Sequence, residues 1–272
     1  ADIQSRNLPF LLRYSPDLVL YRHLCWNLVA SDLRSRFRRS YLGILWAIIQ
    51  PLAFALMIAG VWGTVMGMPN YLEFAIYVFS GLIVWDYFGT VVGISQDSLV
   101  NAEGYLKQTR IPFIIFQVRT PLSAMLIFLC GFAGLVVLMF ALGSFPPPGL
   151  HLILLPLFVV LLLLFVVPIA IIMSVMGTLY RDVKYISQIA VQGLFFLSPV
   201  MLDRGVFERP ELEFLKYANP IFSLLDLFRS PLLHGELWRA QSFLALLAWI
   251  VVLWGLAALA AARGGRRLIF AL

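Results

Sequence analysis

Six long apolar stretches within 272 residues decide what this chain can fold into. They run Leu42–Met66, Phe74–Ile94, Ile111–Leu142, Leu150–Leu179, Ile186–Leu202 and Phe243–Ala262. At 1.5 Å of rise per residue, about 20 apolar residues cross a hydrocarbon layer about 30 Å thick. The fifth stretch is short for that task, while the third and fourth are long enough to tilt or project. Apolar residues make up 61% of the chain and charged ones 12%, against roughly 45–50% and about 25% in soluble domains. Too little polar surface remains to coat a globule, and the same figures exclude disorder. No period of two runs through the stretches, which argues against a barrel. The expectation is an all-α integral membrane fold: six transmembrane helices, an N-terminal amphipathic interfacial helix, and short re-entrant helices between spans five and six.

Six crossings put both termini on one side, and the basic residues choose the side. Arg6, Arg13, Arg22, Arg34, Arg36, Arg38 and Arg39 precede span one. Lys107, Arg110 and Arg119 follow span two, Arg181 and Lys184 join spans four and five, and Arg263, Arg266 and Arg267 lie in the tail. Fifteen of the 20 Lys and Arg thus share one side, which is read as cytoplasmic. Arg204, Arg209, Lys216, Arg229 and Arg239 lie opposite, in one loop that also holds six acids. The net charge of +6 is therefore a topology signal and not a nucleic-acid footprint. With about 40 residues and seven Arg before it, span one does not read as a signal peptide.

The chain divides into a cytoplasmic segment 1–41, a six-span domain 42–262 with a re-entrant outer region 203–242, and a basic tail 263–272. Asp17–Arg39 reads as an amphipathic helix at the lipid boundary, with Trp26 as its anchor. In the outer loop, Pro210–Tyr217 and Ile221–Leu233 read as short helices, broken at Pro220 and ended near Gly235. Cys25 and Cys130 are too few and too far apart for a disulfide framework, and both read as packing residues.

Catalytic and metal-binding patterns are missing. The three His, at positions 23, 151 and 234, have no ligand spacing. No Lys is followed by the Ser or Thr of a nucleotide-binding loop. Within the spans Asp86 is the clear charged residue, and a central Asp costs about 2.5–3.5 kcal/mol unless protein or water receives it. A structural hydrogen bond and an ion-coupling role both remain open for it. Amides and aromatics recur on helical faces: Trp46, Gln50 and Met57 in span one, Trp85, Tyr87 and Phe88 in span two, and Gln188 and Gln192 with Phe195, Phe196 and Pro199 beyond them in span five. Such faces suit sugars, whose C–H faces stack while their hydroxyls need hydrogen-bond partners. For any single aromatic, helix packing or an interfacial belt is the favoured account.

Four ordered runs carry a resemblance: SRFRRSYLGILWAIIQPL at Ser35–Leu52, SGLIVWDYF at Ser80–Phe88, LVNAEGYLKQTRIP at Leu99–Pro112 and ANPIFSLLDLFRSPLL at Ala218–Leu233. Together they resemble the permease subunits of type-2 ABC exporters for O-antigen, capsule or teichoic-acid polymers, from about Leu33 to the end of span six. The resemblance implies a homodimer in the bacterial inner membrane, with two copies of a separate ABC ATPase on the cytoplasmic face. ATP and Mg2+ would bind that ATPase, and this chain would hold no catalytic residue, metal or cofactor. It further implies a coupling helix near Asn101–Arg110, with Asn101, Glu103, Tyr105, Lys107 and Arg110 meeting the ATPase and Arg181 and Asp182 as a lesser contact. Arg36, Arg38, Arg39 and Tyr41 would form a cytoplasmic gate or hold lipid headgroups. Trp46, Gln50, Phe54, Trp85, Tyr87, Gln188, Gln192, Phe195 and Phe196 would line a channel for a lipid-linked polysaccharide. The alternatives are an exporter of a small lipid or drug on the same fold, an ion-coupled carrier using Asp86, and a membrane enzyme using Glu208, Glu211 and Glu213.

Overall fold

The computed structural model describes residues 20–67, 70–108, 111–202, 204–211 and 213–271. Helix makes up 81% of the structure, and the described residues contain no strand. The elements are α1 (Arg22–Arg36), α2 (Trp46–Met66), α3 (Tyr71–Ser95), α4 (Glu103–Gln108), α5 (Phe113–Ala141), α6 (Leu154–Leu179), α7 (Val183–Phe196), α8 (Leu215–Ala218), α9 (Pro220–Arg229) and α10 (Ala240–Ala271). Short 3-10 turns lead into α2 and α6.

Five of these units are long and apolar enough to cross a membrane: Gly43–Val65, Tyr71–Ser95, Phe113–Ala141, Leu150–Leu179 and Ala240–Gly264. The protein is a multi-pass membrane protein. Its central post is α3, which packs against α2, α5, α6 and α7 and touches α9. In its most apolar window 72% of α3 is buried, against 17% for α2 and for α10, so the last two are rim helices. Phenylalanine rings fill the space around α3. Phe158 stacks on Phe228 at 4.9 Å, and Phe128 and Phe132 meet the same ring at 6.0 and 5.5 Å.

The fifth stretch departs from expectation. As helix it holds 14 residues, Val183–Phe196, about 21 Å long. Pro199, with no backbone N–H to give, follows in a turn that covers residues 197–200. The segment nevertheless runs the height of α3. Ser187 meets Gln96 at one end, and Leu202 O accepts from Tyr77 Oη at 2.9 Å at the other. Those 19 positions on α3 measure about 28 Å.

Three further expectations change in detail. The interfacial helix, described from Arg22, does not lie against lipid alone: Cys25 and Val29, one turn apart, are buried where α1 packs on α5, and Trp26 stays 60% exposed. The tail does not leave the last span as a separate segment, since α10 continues to Ala271. In the loop before α9, helix covers Leu215–Ala218, so among the described residues of the first predicted helix the last three are helical. The second begins at Pro220 itself, where a missing N–H costs nothing, and Asn219 Oδ1 caps it by accepting from Ile221 N at 2.9 Å. Every residue of α9 from Ile221 to Arg229 is buried in protein. Gly235, in a left-handed conformation at φ 66°, then turns the chain towards α10.

Candidate functional site

On one end of the bundle, tight turns after α3 deliver α4. Leu99 and Ala102 are buried with Phe116 of α5 and Val175 of α6, which anchors a short helix that could not persist alone. Its outer surface is polar. Glu103 and Lys107 pair with each other, while Asn101 and Tyr105 are exposed. Arg110 lies outside the described residues. Arg181 and Asp182, in the turn between α6 and α7, are exposed at the same end. A link the sequence did not disclose ties the two turns: Lys184 Nζ donates to Asp97 Oδ2 at 2.9 Å.

A polar cleft enters the bundle beside this surface. Two cavities, of about 190 and about 430 Å³, share Arg36, Thr90 and Ile127 and lie between α1, α2, α3 and α5. Trp46, Gln50 and Asp86 line the inner one. Asp86 therefore faces a cavity that also contains the Arg36 guanidinium, which answers the demand that an intramembrane acid meet protein or water. Asp32, Asn101 and Arg119 line the outer cavity. Arg38, Arg39 and Tyr41 sit exposed on the link from α1 to α2. Among the described residues Arg39 is the one non-glycine with a positive φ, 64°.

Burial raises the Asp32 carboxyl above its ordinary 3.8, with Arg119, 3.4 Å away, opposing the shift. A raised acid adds stability below its unfolded value, and that contribution disappears as pH climbs through the folded one. Asp32→Asn should therefore remove the loss of stability that Asp32 adds as pH rises above its unfolded value, as read by thermal unfolding across a pH series. Burial likewise pushes the Cys25 thiol up, so it stays protonated and unreactive.

The second polar region lies along α7. Gln188 and Gln192 are exposed one turn apart, and Phe196 is 76% exposed beyond them. Phe195 is half-buried and meets Trp85 edge-on at 5.2 Å. Phe54 is open on α2. Tyr87 does not join this set. It is 3% exposed, packs on Phe128 at 5.7 Å and donates to Pro121 O at 3.3 Å, and it borders the inner cavity with Trp46, Gln50 and Asp86. Within one chain the structure thus forms two groups, Trp46–Gln50–Asp86 and Trp85–Phe195 with the α7 amides, on helices that both pack against α3.

No group of three or more His, Cys, Asp or Glu able to hold a metal occurs among the described residues. Glu211 and Glu213 are exposed, and Glu213 pairs with Lys216 at 3.8 Å.

Residues 23–233, well over half of the chain, match the model of the ABC-2 type transporter family. The chain belongs to that family. The matched region reaches from α1 to the turn after α9, so every candidate residue named above lies inside the ABC-2 segment. The chain is 29% identical over 248 residues to the "O-antigen export system permease protein RfbA" of Myxococcus xanthus, covering 89% of this chain and 93% of that one. It is 25% identical over 209 residues to a protein of the same name in Klebsiella pneumoniae, 76% of this chain and 78% of that one. The "Polysialic acid transport protein KpsM" of Escherichia coli is 24% identical over 230 residues, 83% of this chain and 88% of its own. For an ABC-2 transporter the two polar regions have a ready division of labour: one end of the bundle presents α4, and the flank presents α7.

Proposed function

We propose that this chain is the permease subunit of an ATP-driven exporter that carries a lipid-linked polysaccharide, of O-antigen or capsule type, across the bacterial inner membrane. The observation that carries the reading is the open face of α7. Exposed amides cannot rest in hydrocarbon without loss of their hydrogen bonds, so Gln188 and Gln192 need water or a second protein before them. A second copy of this chain supplies both. In a homodimer the α2 and α7 faces of each subunit enclose an aqueous path in which amides meet sugar hydroxyls and Phe54, Phe195 and Phe196 meet their C–H faces. Repeated weak contacts of this kind hold a polymer without trapping it. The O-antigen and polysialic acid systems named for the relatives support the choice of cargo.

The motor is a separate ABC ATPase that binds ATP and Mg2+. It docks on α4, through Asn101, Glu103, Tyr105 and Lys107 with Arg110 beyond, and on Arg181 and Asp182. Both termini are cytoplasmic. Segment 183–202 counts as the fifth of six crossings because it spans the height of α3, and α9 is a re-entrant helix near the periplasmic exit, its backbone tolerated there because protein surrounds it. Arg36 in the cleft, with Arg38, Arg39 and Tyr41 beside it, meets the anionic lipid anchor or neighbouring headgroups.

Cysteine placed at Gln192, with Cys25 and Cys130 replaced, tests the shared path. A flexible bismaleimide should join two copies and stop the appearance of surface polysaccharide. Chains that remain monomeric under the reagent would contradict it.

A further inference from the structure

Gln96, just past the end of α3, is the point at which three helices and the approach to α4 meet. Its side chain is 2% exposed, and Nε2 donates to Val92 O at 2.9 Å and to Ser187 Oγ of α7 at 2.7 Å. Ser187 is itself buried, and its hydroxyl donates back to Lys184 O at 3.0 Å, which fixes it to the first turn of α7. From the other side α6 presses in. A Cβ at Gly177 would lie 2.6 Å from Gln96 O and 2.9 Å from its Cα, so only glycine permits this approach.

Towards α4 the backbone has no slack. Asp97 N donates to Ile94 O at 3.2 Å, Ser98 N to Ser95 O at 3.2 Å, Asn101 N to Asp97 O at 2.8 Å, Ala102 N to Leu99 O at 3.1 Å and Leu106 N to Ala102 O at 3.0 Å. These hydrogen-bonded turns connect α4 to Gln96 within a few residues. Further along, α7 meets α3 through apolar contacts such as Phe195 on Trp85, which can slide. The Gln96–Ser187 bond is directional and buried, and breaking it strands polar atoms away from water. Asp97 and Lys184, each about half exposed, add little to it.

We infer that Gln96, acting through Ser187, is the positioning residue by which movement of the coupling helix α4 is carried into the channel helix α7. The inference rests on the reading of α4 as the ATPase-docking element. Nitroxide pairs at Gln108 (on α4) and at Ile189 (on α7), one site at a time in the complex with its ATPase, report inter-subunit distances before and after vanadate trapping of ATP. In the unsubstituted protein both pairs should shift. In Gln96→Leu the α4 pair should shift as before while the α7 pair moves less than half as far. Ser187→Ala, the smaller change, should do the same, and the double variant should go no further because one interaction has been removed twice. An α7 shift of full size in both single variants overturns the inference. Absence of any shift in the unsubstituted complex instead overturns the ATP-driven reading beneath it.

Discussion

Arg229→Ala should destabilise the protein by about 3–5 kcal/mol and abolish export, the largest loss expected of any single side chain here. The guanidinium is 4% exposed. Nε donates to Ser80 Oγ at 3.0 Å, Nη2 to Tyr77 O and Val200 O, each at 2.9 Å, and Nη1 to Pro199 O. It also lies over the Tyr77 ring, 3.6 Å from its centroid. One side chain of α9 thus fastens the Tyr77 end of α3 to the stretch that follows α7. Removing it takes a charged donor from three carbonyls and from Ser80 Oγ. Tyr77 O keeps the Ser80 hydroxyl and Pro199 O the longer Tyr77 contact, while Val200 O loses its side-chain donor, and each lost bond costs about 1–3 kcal/mol before relaxation. Arg229→Lys should lie between, since one ammonium cannot reach the same spread of acceptors. Gly81→Ala should reproduce the defect from the other side, because its Cβ would meet Arg229 Nη2 and lie 2.7 Å from Val200 O. Thermal unfolding in detergent and surface polysaccharide are the two readouts. An unchanged unfolding midpoint for Arg229→Ala would remove the staple from the account.

The second large effect leaves the fold intact. Tyr105→Ala combined with Glu103→Ala should strip the ATPase from the purified complex while lowering the unfolding midpoint only slightly. Tyr105 is 53% exposed with its ring 6.0 Å from that of Phe116, and the Glu103–Lys107 pair is exposed at 44% and 59%, so the chain itself loses about 1 kcal/mol. Loss of an aromatic anchor at an interface is worth about 2 kcal/mol or more, roughly a thirty-fold drop in affinity. ATPase recovered with the tagged permease measures it. Full recovery would mean that the motor docks elsewhere.

Span boundaries were legible because length and hydropathy alone set them: Phe74–Ile94 became Tyr71–Ser95 and Ile111–Leu142 became Phe113–Ala141. Pro220 and Gly235 also acted where their backbone chemistry placed them. Side-chain partners across the fold were not legible. Arg229 read as one more cation in a loop rich in acids, yet it donates to main-chain oxygens up to 152 residues away and to the Ser80 hydroxyl. Gln96 and Ser187 are separated by 91 positions and carry no local pattern. Tyr87 shares a helix turn with Trp85 and Phe88, and only the packing of α5 shows that it points inward. The α7 helix stops at Phe196 although apolar residues continue, because hydropathy does not register the turn that follows it.

Reconstitution into liposomes tests the central claim most directly. The chain and its ATPase, with lipid-linked polysaccharide from the source membranes as cargo, should move polymer into the lumen only when ATP is supplied. Transport by this chain alone, driven by a proton gradient with no ATPase present, would contradict the account.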